Sequence, residues 1–132
     1  MFEKCRASAV AIGLALFVLH GCAPSGPLQV DTIQLGRSLN PDKSVAAHAT
    51  TFKRSDTVYV AVLTSAPGSG TIGVKWSYAG RVIDEPQREV SYRDAAATEF
   101  HLVNSNGFPS GQYTVEVFVD GKSVGTRNFN VE

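Results

Sequence analysis

The 132-residue sequence predicts an all-β protein, an antiparallel β-sandwich of about seven strands preceded by a cleaved apolar leader helix. Three observations predict it. Past residue 28 the apolar residues recur with period two, the pattern of a pleated strand with a buried face. Gly, Pro, Asn and Asp interrupt that pattern at short intervals, as turns do. No stretch after the leader keeps a helical period, and the remainder is the size of one sandwich domain.

In the leader, Lys4 and Arg6 precede an apolar run, residues 7–19, broken only by Ser8 and Gly13. This is the charge-then-apolar order of a secretory signal. As a helix the run spans about 20 Å, short of the roughly 30 Å hydrocarbon core, which favours an export signal over a permanent membrane span. It ends Leu19-His20-Gly21-Cys22, which resembles the bacterial lipobox, an aliphatic residue three before a Cys with small residues between. His20 departs from that pattern. The resemblance implies that residues 1–21 are a removed signal peptide and that Cys22 is the lipid attachment, carrying diacylglycerol and an acyl group such as palmitate. Several acyl chains, at ~0.8 kcal/mol per buried CH₂, hold a protein on a membrane far more firmly than one myristoyl chain does. Ala23 stands where Asp is associated with inner-membrane retention, so the resemblance implies the outer membrane, facing the periplasm. Cys5 lies in the leader and has no assigned role.

Residues 22–29 include the turn-prone Ala23-Pro24-Ser25-Gly26-Pro27 and read as a lipidated tether, with the domain over residues 30–132. Residues 30–36 alternate as a first strand. Residues 37–56 are harder to read: Asn40-Pro41-Asp42 marks a turn, and residues 45–52 suit an edge strand or an extended loop. Residues 57–64 (TVYVAVLT) form the strongest strand, with Val58, Val60 and Val62 on one face and Tyr59, Ala61 and Leu63 on the other. A turn at Pro67-Gly68-Ser69-Gly70 leads to residues 71–78, where Ile72, Val74, Trp76 and Tyr78 share a face. Ala79-Gly80 reverses the chain into residues 81–84. Residues 89–92, 98–103, 112–119 and 122–131 complete the set, the last two joined by Asp120-Gly121, a pair suited to a type I′ turn. Asp94-Ala95-Ala96-Ala97 suggests one helical turn.

Gly111-Gln112-Tyr113-Thr114-Val115 resembles the start of strand F in Ig-like domains, where a Tyr lies two residues before the inward position that antibody domains fill with Cys. Val115 takes that place. The resemblance implies that Tyr113 is a tyrosine corner and that Trp76 is the buried strand C tryptophan, so Trp76, Tyr113 and Val115 are structural core. More widely, Asp56-Thr57-Val58-Tyr59, Val74-Lys75-Trp76-Ser77-Tyr78, Thr98-Glu99-Phe100 and the stretch from Gly107-Phe108-Pro109 through Asp120-Gly121-Lys122 to Phe129 look like an Ig-like module found at the end of small bacterial envelope lipoproteins. That group shares no chemistry to carry over, so Cys22 is the one functional residue the resemblance supplies.

The chain carries 12 Lys+Arg and 12 Asp+Glu; removing Lys4, Arg6 and Glu3 with the leader leaves ten basic against eleven acidic residues. Such a balance gives no electrostatic reason to expect nucleic acid as a partner. No cysteine follows Cys22, so neither a disulfide nor a thiolate zinc site is open to the domain. His48 and His101 have no neighbouring ligand in sequence, and Met1 is the sole methionine, so no metal or other cofactor is expected. Asp84-Glu85 adjoin Pro86 and read as solvated turn charges rather than a catalytic pair. No serine elbow or phosphate loop is present, and no enzyme activity is expected.

Two functional readings remain. In the first, the domain is a protein-interaction or structural module with an envelope protein as partner, through an apolar face made of Tyr59, Leu63 and Phe118. Phe118 turns outward because Tyr113, Val115, Val117 and Val119 point in. Residues 37–53, with Phe52, compete to cover that face. In the second, a carbohydrate or cell-wall ligand stacks on Tyr78, Tyr92 or Trp76.

Overall fold

A computed structural model describes residues 26–132; the leader, Cys5, His20, Cys22 and the tether to residue 25 lie outside the described residues. Among those described, nine strands form in the order β1 (Val30–Gly36), β2 (Thr51–Phe52), β3 (Val58–Thr64), β4 (Gly68–Tyr78), β5 (Arg81–Asp84), β6 (Gln87–Tyr92), β7 (Ala96–Leu102), β8 (Gly111–Val119) and β9 (Lys122–Val131). A back sheet runs β1-β3-β7, and a front sheet runs β2-β9-β8-β4-β5 with β6 also paired to β4. These are the A-B-E and C-F-G groupings of an Ig-like sandwich, with β5 added beside strand C as in variable-type domains.

The period-two stripes become the core. Val58, Val60 and Val62 from the back sheet face Ile72, Val74, Trp76, Val115 and Val117 from the front sheet, all buried. Trp76 is fully buried and lies in register with Val115, the pair the strand C and strand F resemblance points to. Towards one end the core turns aromatic: the Tyr113 ring stacks on Phe129 at 5.1 Å, while Phe52 and Trp76 meet Phe129 edge-on at 5.3 and 6.2 Å. The Tyr113 hydroxyl donates to the Pro109 carbonyl four residues upstream at 2.7 Å, which makes it a tyrosine corner. Trp76 Nε1 finds no acceptor among the described residues, so this indole is held by shape and area alone.

Both tight turns carry φ above zero at their two central residues, Ala79 (49°) with Gly80 (84°) and Asp120 (50°) with Gly121 (85°), as type I′ geometry requires. Two local expectations fail. Gly68-Ser69-Gly70 is not a turn but the start of β4, paired to Tyr92, Ser91 and Val90; the chain reverses just before it, at residues 65–67. Glycine is used at Gly68 for close approach, since a Cβ there would lie 2.8 Å from the Pro27 carbonyl oxygen. Ala96 and Ala97 belong to β7 instead of a helical turn, because pairing with Thr64 and Leu63 completes the back-sheet ladder and outweighs alanine's helix propensity.

The obscure stretch, residues 37–56, is where the chain changes sheet. After β1 it continues into a narrow ladder, with Arg37 N–H donating to Ala47 O at 2.9 Å and Ala49 N–H to Leu35 O at 3.1 Å, around a tip at residues 40–44. It then enters β2, which pairs in parallel with Asn130 and Val131 of the front sheet. The Arg37 side chain spans the jump, bonding Thr51 O at 3.1 Å and Asp56 Oδ2 at 3.2 Å. Phe52 is buried in the core and does not cover an outer face.

Replacing Tyr113 by Phe leaves the Pro109 carbonyl short of a donor, and chemical denaturation should record a loss of about 1–2 kcal/mol with the fold retained. Trp76→Phe removes an unpartnered donor as well as ring area, so its cost should fall clearly below the about 3–5 kcal/mol expected of Trp76→Ala. Burial, and after it the neighbouring Tyr78, raises the Tyr113 phenol above its ordinary value. The unfolded chain therefore ionises first, and the contribution of this group, complete below about pH 10, should be lost as pH rises further; an alkaline absorbance titration should find Tyr113 ionising late.

Candidate interaction surfaces

With the stripes facing inward, alternation leaves two outer faces. On the back sheet the outward residues line up in rows: Gly36–Tyr59–His101, Gln34–Ala61–Glu99 and Thr32–Leu63–Ala97. Ala61 is fully buried although it points outward, and the ladder at residues 37–48 accounts for cover on this side. Val45 N–H donates to Gln34 Oε1 at 2.9 Å, and a Cβ at Gly36 would lie 2.1 Å from the Ala47 carbonyl oxygen, so this hairpin lies directly on β1. Tyr59 and Leu63 stay half-buried. The Tyr59 ring leans on His101 at 5.6 Å, and His101 Nδ1 lies 3.1 Å from Glu99 Oε1. Leu63 and Ala97 floor a cleft of about 480 Å³ whose wall is the hairpin tip, Asp42 and Ser44.

Phe118 belongs to the other outer face. By register it stands between Gly73 and Ser123, with Lys75, Glu116 and Thr126 in the adjoining row. Lys75 Nζ sits 5.3 Å from the Phe118 ring centroid, a cation–π contact at the side of a shallow depression of about 270 Å³. Along β8 and β9 the face is polar: Thr114 donates to Asn128 Oδ1 at 3.3 Å and Gln112 Nε2 to Asn130 Oδ1 at 3.0 Å. Val82 pairs with Ser77 and so shares this side, 50% exposed, beside Ile83 on β5.

The single patch expected from Tyr59, Leu63 and Phe118 therefore does not form. β3 and β8 lie in different sheets, so residues opposite each strand's core stripe end up back to back, with the sandwich between them. Tyr78, Tyr92 and Trp76 do not gather into one stacking surface, since Tyr92 pairs with Gly68 at the start of β4 and Tyr78 ends it. Trp76 is enclosed, the Tyr78 hydroxyl donates to Ser110 O at 2.9 Å with its ring 4.6 Å from Tyr113, and the Tyr92 hydroxyl lies 2.6 Å from Thr98 Oγ1. Asp84 and Glu85 are both exposed, Glu85 N–H donating to Asp84 Oδ1 at 3.0 Å. Among the described residues no three His, Cys, Asp or Glu side chains gather as metal ligands.

Sequence reasoning has residues 37–53 competing to cover the Tyr59 and Leu63 side, and the hairpin does so without Phe52; what it misses is the exposure of Val82 and Ile83. A signal for that exposure was present: a four-residue strand after a two-residue turn, flanked by Arg81 and Asp84, is an edge strand. The hairpin shape of the cover was marked in sequence only by the Asn40-Pro41-Asp42 turn.

No family model matches the chain, and no curated protein matches it in sequence. Among solved structures, an immunoglobulin-like protein from Pseudomonas aeruginosa superposes with a TM-score of 0.57 at 10% identity, covering 83% of this chain and 100% of that one. A β-glucosidase from Listeria innocua in complex with gluconolactone gives 0.48 at 11% identity over 76% of this chain, which spans 16% of that enzyme. An alkylpurine DNA glycosylase from Pseudomonas fluorescens gives 0.43 at 12% identity, over 76% of this chain and 30% of that one. The first likeness shows an Ig-like fold.

The Asp42 carboxylate at the hairpin tip accepts hydrogen bonds from the Ser44 hydroxyl and then the Ser44 N–H, which hold it below the ordinary carboxylate value. A carbon-detected NMR titration of Ser44→Ala should move Asp42 back upward, and an unmoved midpoint would refute this assignment of cause.

Proposed function

We propose that this chain is an envelope lipoprotein, acylated on Cys22 and facing the periplasm from the outer membrane, whose Ig-like domain is a protein-interaction or structural module. The leader, with its charge-then-apolar order ending in Leu19-His20-Gly21-Cys22, supports the anchor. The observation that carries the interaction is Phe118 on the front sheet: a half-buried aromatic ring in a depression, with Lys75 against it and Val82 exposed on the same side. Aromatic anchors set among polar groups are the usual composition of protein contact surfaces. The hairpin-covered back sheet offers less free apolar surface, so the partner belongs on the front sheet.

Metabolic labelling with a fatty acid should mark the wild-type protein and leave Cys22→Ala unmarked. Crosslinking in intact cells should then separate the two parts of the reading. Phe118→Ser should keep the acyl label and a native melting curve but weaken capture of a front-face partner by roughly 30-fold, the effect of an anchor worth about 2 kcal/mol. Crosslinked partners unchanged by both Phe118→Ser and Val82→Ser would remove the front sheet as the contact.

A further inference from the structure

Resting on the lipid anchor just proposed, we infer that the domain stands upright on the membrane, with the sandwich end formed by residues 65–67, 93–95 and 120–121 against the lipid headgroups. The chain is fixed almost as soon as it leaves Cys22. Ser69 N–H donates to Gly26 O at 3.2 Å, Pro27 pairs in parallel with Ser69, and Leu28 is buried in the core. Four residue steps separate Cys22 from Gly26, a reach of at most about 14 Å. The attachment sits in the middle of the front sheet's end, beside the first residues of β4 and beyond the last residue of β8. β4 runs eleven residues from there, so the far end, with the Ala79-Gly80 turn and residues 103–110, lies about 35 Å away.

That end is also stiff. Asp120 N–H donates to Thr71 O at 2.8 Å while Asp120 Oδ1 accepts from Thr71 N–H at 2.9 Å, so the β8–β9 turn is clamped to β4 next to the attachment. The exposed charges there, Lys43, Arg93 and Lys122 against Asp31, Asp42, Asp94 and Asp120, leave that end slightly acidic. Tether length, not attraction to anionic lipid, sets the orientation. Both sheet faces then stand upright off the bilayer, open to periplasmic partners.

Because no cysteine follows Cys22, Asp94→Cys and Ser105→Cys, both at exposed positions, each accept a single fluorophore on the mature acylated protein. In phosphatidylcholine vesicles bearing headgroup nitroxides, quenching should be several-fold stronger at position 94 than at 105. Inserting a long Gly/Ser segment after Ala23 should bring the ratio towards one, and raising salt about tenfold should leave the native ratio unchanged. Equal quenching with the native tether, stronger quenching at 105, or a ratio erased by salt would each overturn the upright orientation. Mass spectrometry of the same sample keeps the two claims apart: absence of acyl chains refutes the lipoprotein reading itself.

Discussion

Everything in this sandwich depends on apolar contact between two sheets that no disulfide joins. With no cysteine after Cys22, the inter-sheet bridge of antibody domains is replaced by Val115 packed among Trp76, the Val58–Val60–Val62 stripe and the Phe129 ring. Each fully buried aliphatic side chain contributes about 1.5–3 kcal/mol, and all of it relies on strand register. A one-residue slip of β8 would turn Phe118 and Glu116 inward and Val115 and Val117 outward. The two type I′ turns matter for that reason: they set the register of β4 against β5 and of β8 against β9.

The first strand shows how local closure and overall topology interact. β1 pairs in the back sheet and β2 in the front sheet, so one end of the sandwich is closed by chain crossing between layers. Along the adjacent edge Ile33 reaches β9 at Gly125, where a Cβ would lie 2.7 Å from Ile33 Cδ1 and would push the end of that side chain aside. Arg88 acts similarly on the other side. Its guanidinium donates to Glu99 O at 3.0 Å and lies 4.5 Å from the Phe100 ring, bridging β6 to β7 across the gap between sheets.

Strands with one apolar face were legible in the sequence because burial writes itself at every second residue: β1, β3, β8 and β9 begin and end within a residue or so of where alternation placed them. Trp76, Tyr113 and Val115 were legible for the same reason, as inward positions on strongly alternating segments. Gly68 to Gly70 were not, since glycine marks both turns and close backbone approach, and only the position of Pro27 distinguishes them. The candidate surface was half legible. That Phe118 points outward follows from its own strand, whereas its distance from Tyr59 depends on which sheet each strand joins, and no local pattern encodes that choice.

The edge strand β5 has a consequence where copies of the domain are crowded together. At high local density an open strand offering free N–H and C=O groups templates sheet-to-sheet accretion. Here that strand is four residues long, and its two aliphatic residues, Val82 and Ile83, are bracketed by Arg81 and Asp84. A neighbouring copy adding itself in line gains only a four-residue ladder of backbone hydrogen bonds and must strip water from Arg81 and Asp84 at its ends, which works against growth into fibrous aggregates.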